Sequence, residues 1–275
     1  MDIICYIMTR EILAINDDSI NAEGLMHLAN LFRRYGDVTV VAPREPQSAK
    51  SASLTMDRPL HLAHIRDIEP DGELGGVRIY TLDGTPCDCA KMGVNMFIEE
   101  GRMPDLVISG INHGSNASAA ALYSGTLGAT MEAALYQIPA IGFSIDTHDE
   151  HPDFSIIDYY LDEIMERFFE CPPKAGTYLN INFPDISPDQ VRGITFARQG
   201  RGRWQKEFVR EINPRGVELY WMVGEFQNLA GVGYDCTDDH ILMHDGYITI
   251  VPHSIDTTDY AELERLQGLW DLEEA

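Results

Sequence analysis

EILAINDDSINAEGLMHLANLFRRYGDVTVVA, residues 11–42, reads as one β-α-β unit. Glu11–Asn16 is a short apolar run that stops at a polar residue. Ala22–Arg34 sets Leu25, Leu28, Ala29 and Phe32 at helical spacing, and Asp37–Ala42 is apolar without alternation. Strands that are apolar at every position suit a sheet buried on both faces, and parallel pairing needs a helical crossover of this length.

The same alternation continues outward. Strands are predicted at Val77–Leu82, Asp105–Ser109, Ala140–Ile145 and Tyr178–Asn182, with helices at Cys87–Glu99, Gly125–Tyr136 and Phe154–Phe169. The fold class is α/β, a three-layer arrangement with a mostly parallel sheet between helices. Near Arg198 the texture changes. ARQGRGRWQKEF gathers Arg198, Arg201, Arg203 and Lys206 around Trp204, and Asn213-Pro214-Arg215-Gly216 is a turn signal between two β-rich runs. This reads as a long β-hairpin. Its Tyr220, Trp221 and Met222 are large for an exposed ribbon and suggest a covering partner subunit. GYITIVP, residues 246–252, is a returning strand, followed by a short helix. The chain divides into a core, residues 1–197, and an arm with its returning strand and helix, residues 198–275. Residues 1–8 read either as an extra strand or as a lead ahead of an alternative start at Met8.

With 44 Asp and Glu against 20 Lys and Arg, the net charge is −24. A field of that sign excludes a nucleic-acid groove and docking on an anionic membrane, and an anionic small molecule would need a metal or a local positive potential. The N-terminal stretch has no basic n-region and is broken by Arg10-Glu11, so neither a signal peptide nor a membrane span is expected. Five cysteines make no disulfide framework. Cys87 and Cys89 lack the usual zinc spacing and are expected as buried thiols in a reducing cytoplasm.

In open parallel sheets, ligands bind beyond the carboxyl ends of the strands. Three loops there carry oxygen-rich residues: Asn16, Asp17 and Asp18 after the first strand; Arg44 to Ser48 after the second; and Asn112, His113 and Asn116 in SGINHGSN. If those strands are neighbours, Asp17, Asp18, Ser48 and Asn112 converge as an all-oxygen donor set, suited to Mg²⁺ or Mn²⁺ and not to zinc. The alternative use of the acidic pair is to cap the helix that starts near Ala22. Ser124, Gly125 and Thr126 stand at a helix start, either as a phosphate cradle or as an ordinary N-cap. No Walker loop, dinucleotide fingerprint or nucleophile elbow is present. His113 has three candidate uses: general acid, substrate contact or structural donor.

Taken in order, these blocks resemble the SurE family of survival proteins, metal-dependent 5′/3′-nucleotidases. ILAINDDSINAEG resembles its opening N-D-D-G-I block; VTVVAPREPQSAKSASLT, DGTPCDC, SGINHGSN, YSGTLGATMEA, NINFP, RQGRGRW and GYITIVP continue the series over nearly all of residues 12–260. The resemblance implies a Rossmann-like core and a hairpin arm used in dimer or tetramer assembly. It implies one divalent cation per subunit on Asp17, Asp18, Ser48 and Asn112, and hydrolysis of nucleoside monophosphates to nucleoside and phosphate. Asp17 and Asp18 would serve catalysis, with Asn16, Asn116, Ser124, Gly125 and Thr126 toward substrate or phosphate. Two departures stand out: Ser19 replaces a Gly, and Ala52 replaces a common His. The competing reading is a family member that binds metal and nucleotide but has lost its chemistry at those positions.

Overall fold

The apolar run of the quoted segment forms β1 (Arg10–Ile15), whose side chains alternate between two cores. Ile12 and Ala14 face one layer with Leu25, Leu28 and Phe32 of α1 (Glu23–Phe32). Leu13 and Ile15 face the other. They join Cys89, Val94 and Phe97 of α2 (Pro86–Glu99), and Ala129 and Ala133 of α3 (Gly125–Leu135). Because both faces are covered, every position of β1 after its first turn must be apolar, which is why no alternation is visible. The layers are close: a Cβ on Gly93 of α2 would come within 2.5 Å of Leu13 Cδ1.

The computed structural model describes residues 10–229 and 237–270. The N-terminal stretch read as a strand or a lead lies outside the described residues. The central sheet has nine strands. Their order is β3 (Leu62–Ile68), β4 (Val77–Leu82), β2 (Gly36–Pro43), β1, β5 (Leu106–His113), β6 (Ala140–Asp146), β7 (Thr177–Pro184), β13 (Tyr247–Ser254) and β8 (Gly193–Phe196). From β4 to β7 all neighbours are parallel. β3 is antiparallel at one edge, and the returning β13 runs antiparallel to β7 and parallel to β8. α4 (Ser155–Glu170) packs on the α1 face through Ile157, Leu161 and Met165.

The expected strands and helices are present with ends moved by a few residues, β5 furthest because it runs on to His113. β3 and β8 were not foreseen. β3 is mostly exposed and has no apolar run to mark it, and β8 is a four-residue edge strand. α5 (Asp239–His244) is too short to show a helical period.

Beyond Arg198 the chain leaves the sheet as a hairpin: β9 (Gly202–Gln205) pairs with β12 (Glu225–Asn228), and β10 (Phe208–Ile212) with β11 (Glu218–Met222). Its tip is the expected turn. Asn213 Oδ1 accepts from the N–H groups of Arg215 and Val217, and Gly216 takes φ +76°. Tyr220 and Trp221 are exposed on this ribbon. The chain then returns through β13 to α6 (Tyr260–Gln267). Cys87 and Cys89 are buried and free. Among the described residues no helix is long and apolar enough to cross a membrane.

Candidate active site

Strand order reverses at β1, with β2 on one side and β5 on the other, so the loops after β1 and β5 open onto one crevice. Asp17 and Asp18 leave the end of β1 there. They do not cap α1, whose N-cap is Ala22 with no side-chain hydrogen bond. Asp17 is 4% exposed, and its Oδ1 accepts from Thr126 Oγ1 at 2.6 Å. Asp18 Oδ2 accepts from the His113 backbone N–H at 3.2 Å.

The turn after the pair depends on Ser19, which takes φ +92°, a left-handed conformation that glycine adopts without cost. Local bonds hold it: Ser19 Oγ accepts from the Asn21 N–H at 3.3 Å, and Asn16 Nδ2 donates to the Ser19 carbonyl at 2.8 Å. Asn16 is fully buried, and its side-chain amide braces this turn.

Asn112 arrives by a bulge. The register of β5 against β6 slips between Ser109 and Asn112, and Gly110 inside the slip has φ +123°. A Cβ there would lie 2.3 Å from the Phe143 carbonyl oxygen. Asn112 Nδ2 donates to the Gly114 carbonyl at 2.6 Å, which turns Oδ1 toward Thr126, whose hydroxyl lies 3.2 Å away. Ser48 comes from the loop after β2, tied to the acidic turn by the Gln47 N–H donating to the Asp17 carbonyl at 2.7 Å.

At the start of α3, Ser124 is the N-cap, its Oγ accepting from the Leu127 N–H at 3.1 Å. Gly125 lets the helix approach the carboxylate: a Cβ on it would be 2.9 Å from Asp17 Oδ2. The Thr126 side chain is fully buried, and its hydroxyl donates to Asp17. It holds the carboxylate in position.

Burial first, and then the neighbouring Asp18 charge, push the Asp17 carboxyl up to about 6. Thr126 and local N–H groups pull the other way. Burial also raises Asp18. The donors fit a hard divalent ion. Among the described residues no cation offsets the two adjacent carboxylates, the buried Asn16 Oδ1 has no hydrogen-bond partner, and the remaining donors are neutral oxygens. Among the described residues no cluster of three His, Cys, Asp or Glu could hold a metal, so an ion here would rest on the two aspartates with Ser48 and Asn112.

These four residues line one cavity of about 540 Å³ together with Asn116 and Ser124; His113 sits exposed at its rim. Asn116 is fixed by its Nδ2 donating to Ser144 Oγ at 2.9 Å and its backbone N–H donating to Asn182 Oδ1 at 2.8 Å. The opposite wall was not foreseen. It consists of Tyr123 and, from the arm, Trp204, Glu207, Met222, Val223 and Gly224. The only hint was the Trp204 cluster, where composition shifts. Met222, expected against a partner subunit, borders this cavity.

The family model for Survival protein SurE matches residues 12–206. A protein named 5′-nucleotidase SurE from Flavobacterium psychrophilum is 38% identical over 95% of this chain and 97% of its own length. One of the same name from Cytophaga hutchinsonii is 39% identical over 94% and 96%. The crystal structure of the SurE protein from Aquifex aeolicus superimposes with a TM-score of 0.73 at 30% identity, covering 94% of this chain and 99% of that one.

Proposed function

The chain belongs to the SurE family, and from that premise we propose that it is a divalent-metal-dependent 5′/3′-nucleotidase, hydrolysing nucleoside monophosphates to nucleoside and phosphate. The observation that carries this reading is the meeting of Asp17, Asp18, Ser48 and Asn112 on one cavity wall beside Ser124 at the α3 N-terminus. Relatives named 5′-nucleotidase SurE align over nearly the whole chain and support it.

Asp17, Asp18, Ser48 and Asn112 would hold one Mg²⁺ or Mn²⁺ per subunit. When bound, such an ion offsets phosphoryl charge and makes a water more acidic. Ser124, through its hydroxyl, and the N–H of Gly125 would take phosphoryl oxygens at the positive end of α3. Asn116, held by Ser144 and Asn182, orients the substrate from the side. Thr126 keeps Asp17 aimed into the site, and one of the two aspartates orients the attacking water or takes its proton. Solvent or His113 at the exposed rim supplies the proton for the departing nucleoside oxygen.

The binding-only reading would need the departures to misdirect the acidic pair. Ser19 nevertheless takes the left-handed turn, and both carboxylates still reach Thr126 and His113, which favours retained chemistry. We infer a homodimer or homotetramer in the cytoplasm, assembled through the exposed arm.

Purified protein with Mn²⁺ or Mg²⁺ is expected to release phosphate from nucleoside monophosphates, EDTA to abolish the release, and Asp17→Asn/Asp18→Asn to eliminate it. Nucleotide binding without phosphate release under either metal would replace this reading with the binding-only one.

A further inference from the structure

Two aromatic rings, Tyr123 and Trp204, line the same cavity as the carboxylates, and nothing in phosphate hydrolysis requires them. Tyr123 adjoins Ser124 in the chain yet is 56% exposed, so its ring sits in the cavity and not in the core. It meets the Trp204 indole edge-on, centroids 6.2 Å apart. Trp204 is itself held within the hairpin. Phe226, its register partner on β12, contacts it at 5.6 Å between centroids. Gly224 leaves room for the indole, since a Cβ there would lie 2.9 Å from Trp204 Cδ1, and a Cβ on Gly202 would strike the Phe226 ring at 2.1 Å. An indole held by edge contacts with Tyr123 and Phe226 while it borders the cavity is a stacking platform with little freedom left to lose.

Glu207 lines the same cavity. Its carbonyl accepts from the Val223 N–H across the hairpin at 2.7 Å, which locks the backbone that carries it. The adjacent Lys206 pairs with Glu225, so it does not neutralise Glu207. A carboxylate opposite an acidic phosphate site repels further phosphate but accepts readily from N–H donors. Among the nucleobases, guanine offers two adjacent donors, N1–H and the exocyclic amine, in the parallel geometry that a carboxylate matches; adenine offers one amine.

We propose that Trp204 and Tyr123 form the nucleobase platform of this cavity and that Glu207 reads the base edge, making the chain selective for purine monophosphates and above all for guanosine monophosphate. The proposal rests on the nucleotidase reading for the phosphate end of the ligand only.

The test compares kcat/KM for guanosine, adenosine and cytidine monophosphates with that for ribose 5-phosphate, which lacks a base, and adds equilibrium binding of guanosine, which needs no turnover. Loss of one stacking partner is worth about 5- to 150-fold. Trp204→Ala should therefore lower the ratio of guanosine monophosphate to ribose 5-phosphate by at least about fivefold. Trp204→Phe should retain most of that ratio, and Glu207→Gln should shift preference from the guanosine toward the adenosine substrate. Guanosine binding should weaken in Trp204→Ala in the same proportion. Wild-type rates that ignore the base, an unchanged ratio in Trp204→Ala, or an unchanged guanosine preference in Glu207→Gln would overturn the proposal. Absence of phosphate release from every substrate would remove the nucleotidase reading, whereas guanosine binding lost in Trp204→Ala would still uphold the platform.

Discussion

Asp17→Asn should make the metal-free protein more stable while removing its activity. In the fold, burial and Asp18 hold the Asp17 carboxyl at about 6 against an ordinary 3.8, so ionising it costs the folded state about 3 kcal/mol. Asn resembles the protonated acid: it is neutral and keeps an oxygen to accept from Thr126 Oγ1. Below pH 3.8 the carboxyl is protonated in both folded and unfolded chains, so the charge makes no difference between variant and wild type. Between 3.8 and about 6 the folded wild type keeps a proton that the unfolded chain has released, and wild-type stability falls as pH rises. Above about 6 the full penalty applies. Urea unfolding in EDTA should therefore find Asp17→Asn more stable by about 3 kcal/mol at pH 8, with the gap closing toward pH 4. Added Mn²⁺ should narrow or reverse the gap, because only the wild type gains a full ligand set. A variant no more stable than wild type at pH 8 in EDTA, or a gap that ignores pH, would refute the electrostatic reasoning.

Ser19→Gly should leave stability within about 1 kcal/mol and keep phosphate release, since relief of the φ +92° conformation is offset by greater unfolded-chain freedom. Ser19→Val, β-branched at the same φ, should cost about 2 kcal/mol or more in urea unfolding. Thr126→Val removes the hydroxyl from Asp17 Oδ1 and Asn112 Oδ1. It should raise the Asp17 carboxyl further, moving the acid limb of the pH–rate profile to higher pH and lowering kcat by about tenfold or more.

The acidic pair was legible in the sequence because a parallel sheet brings the ends of successive strands together, so loops far apart in the chain can be assigned to one crevice from strand order alone. Orientation within that crevice was not legible. Thr126 at a helix start looks the same whether its hydroxyl faces phosphate or a carboxylate; the difference comes from Gly125, which brings α3 against Asp17. Asn16 reads as a residue toward substrate, and its burial beneath the Ser19 turn is not visible in the sequence. The aromatic wall was hidden for another reason. Trp204 and Glu207 follow Asp17 by most of the chain, and periodicity does not tell that a hairpin will fold back over the sheet.

The two ends of the cavity are held by different means, and this bears on how substrate choice can vary without loss of chemistry. The acidic end is bound to the core by hydrogen bonds between residues distant in sequence, Thr126 to Asp17 and His113 to Asp18, under helices packed on the buried centre of the sheet. A change there disturbs several partners at once. The arm end is held by hairpin pairing and by aromatic edge contacts to the body, Tyr123 against Trp204 and Phe226 against His240 of α5. Substitutions on the arm can thus reshape the wall that meets the rest of the substrate while the carboxylates keep their burial and their partners. In that division, the buried sheet end sets which bond is broken and the exposed hairpin sets which molecule presents it.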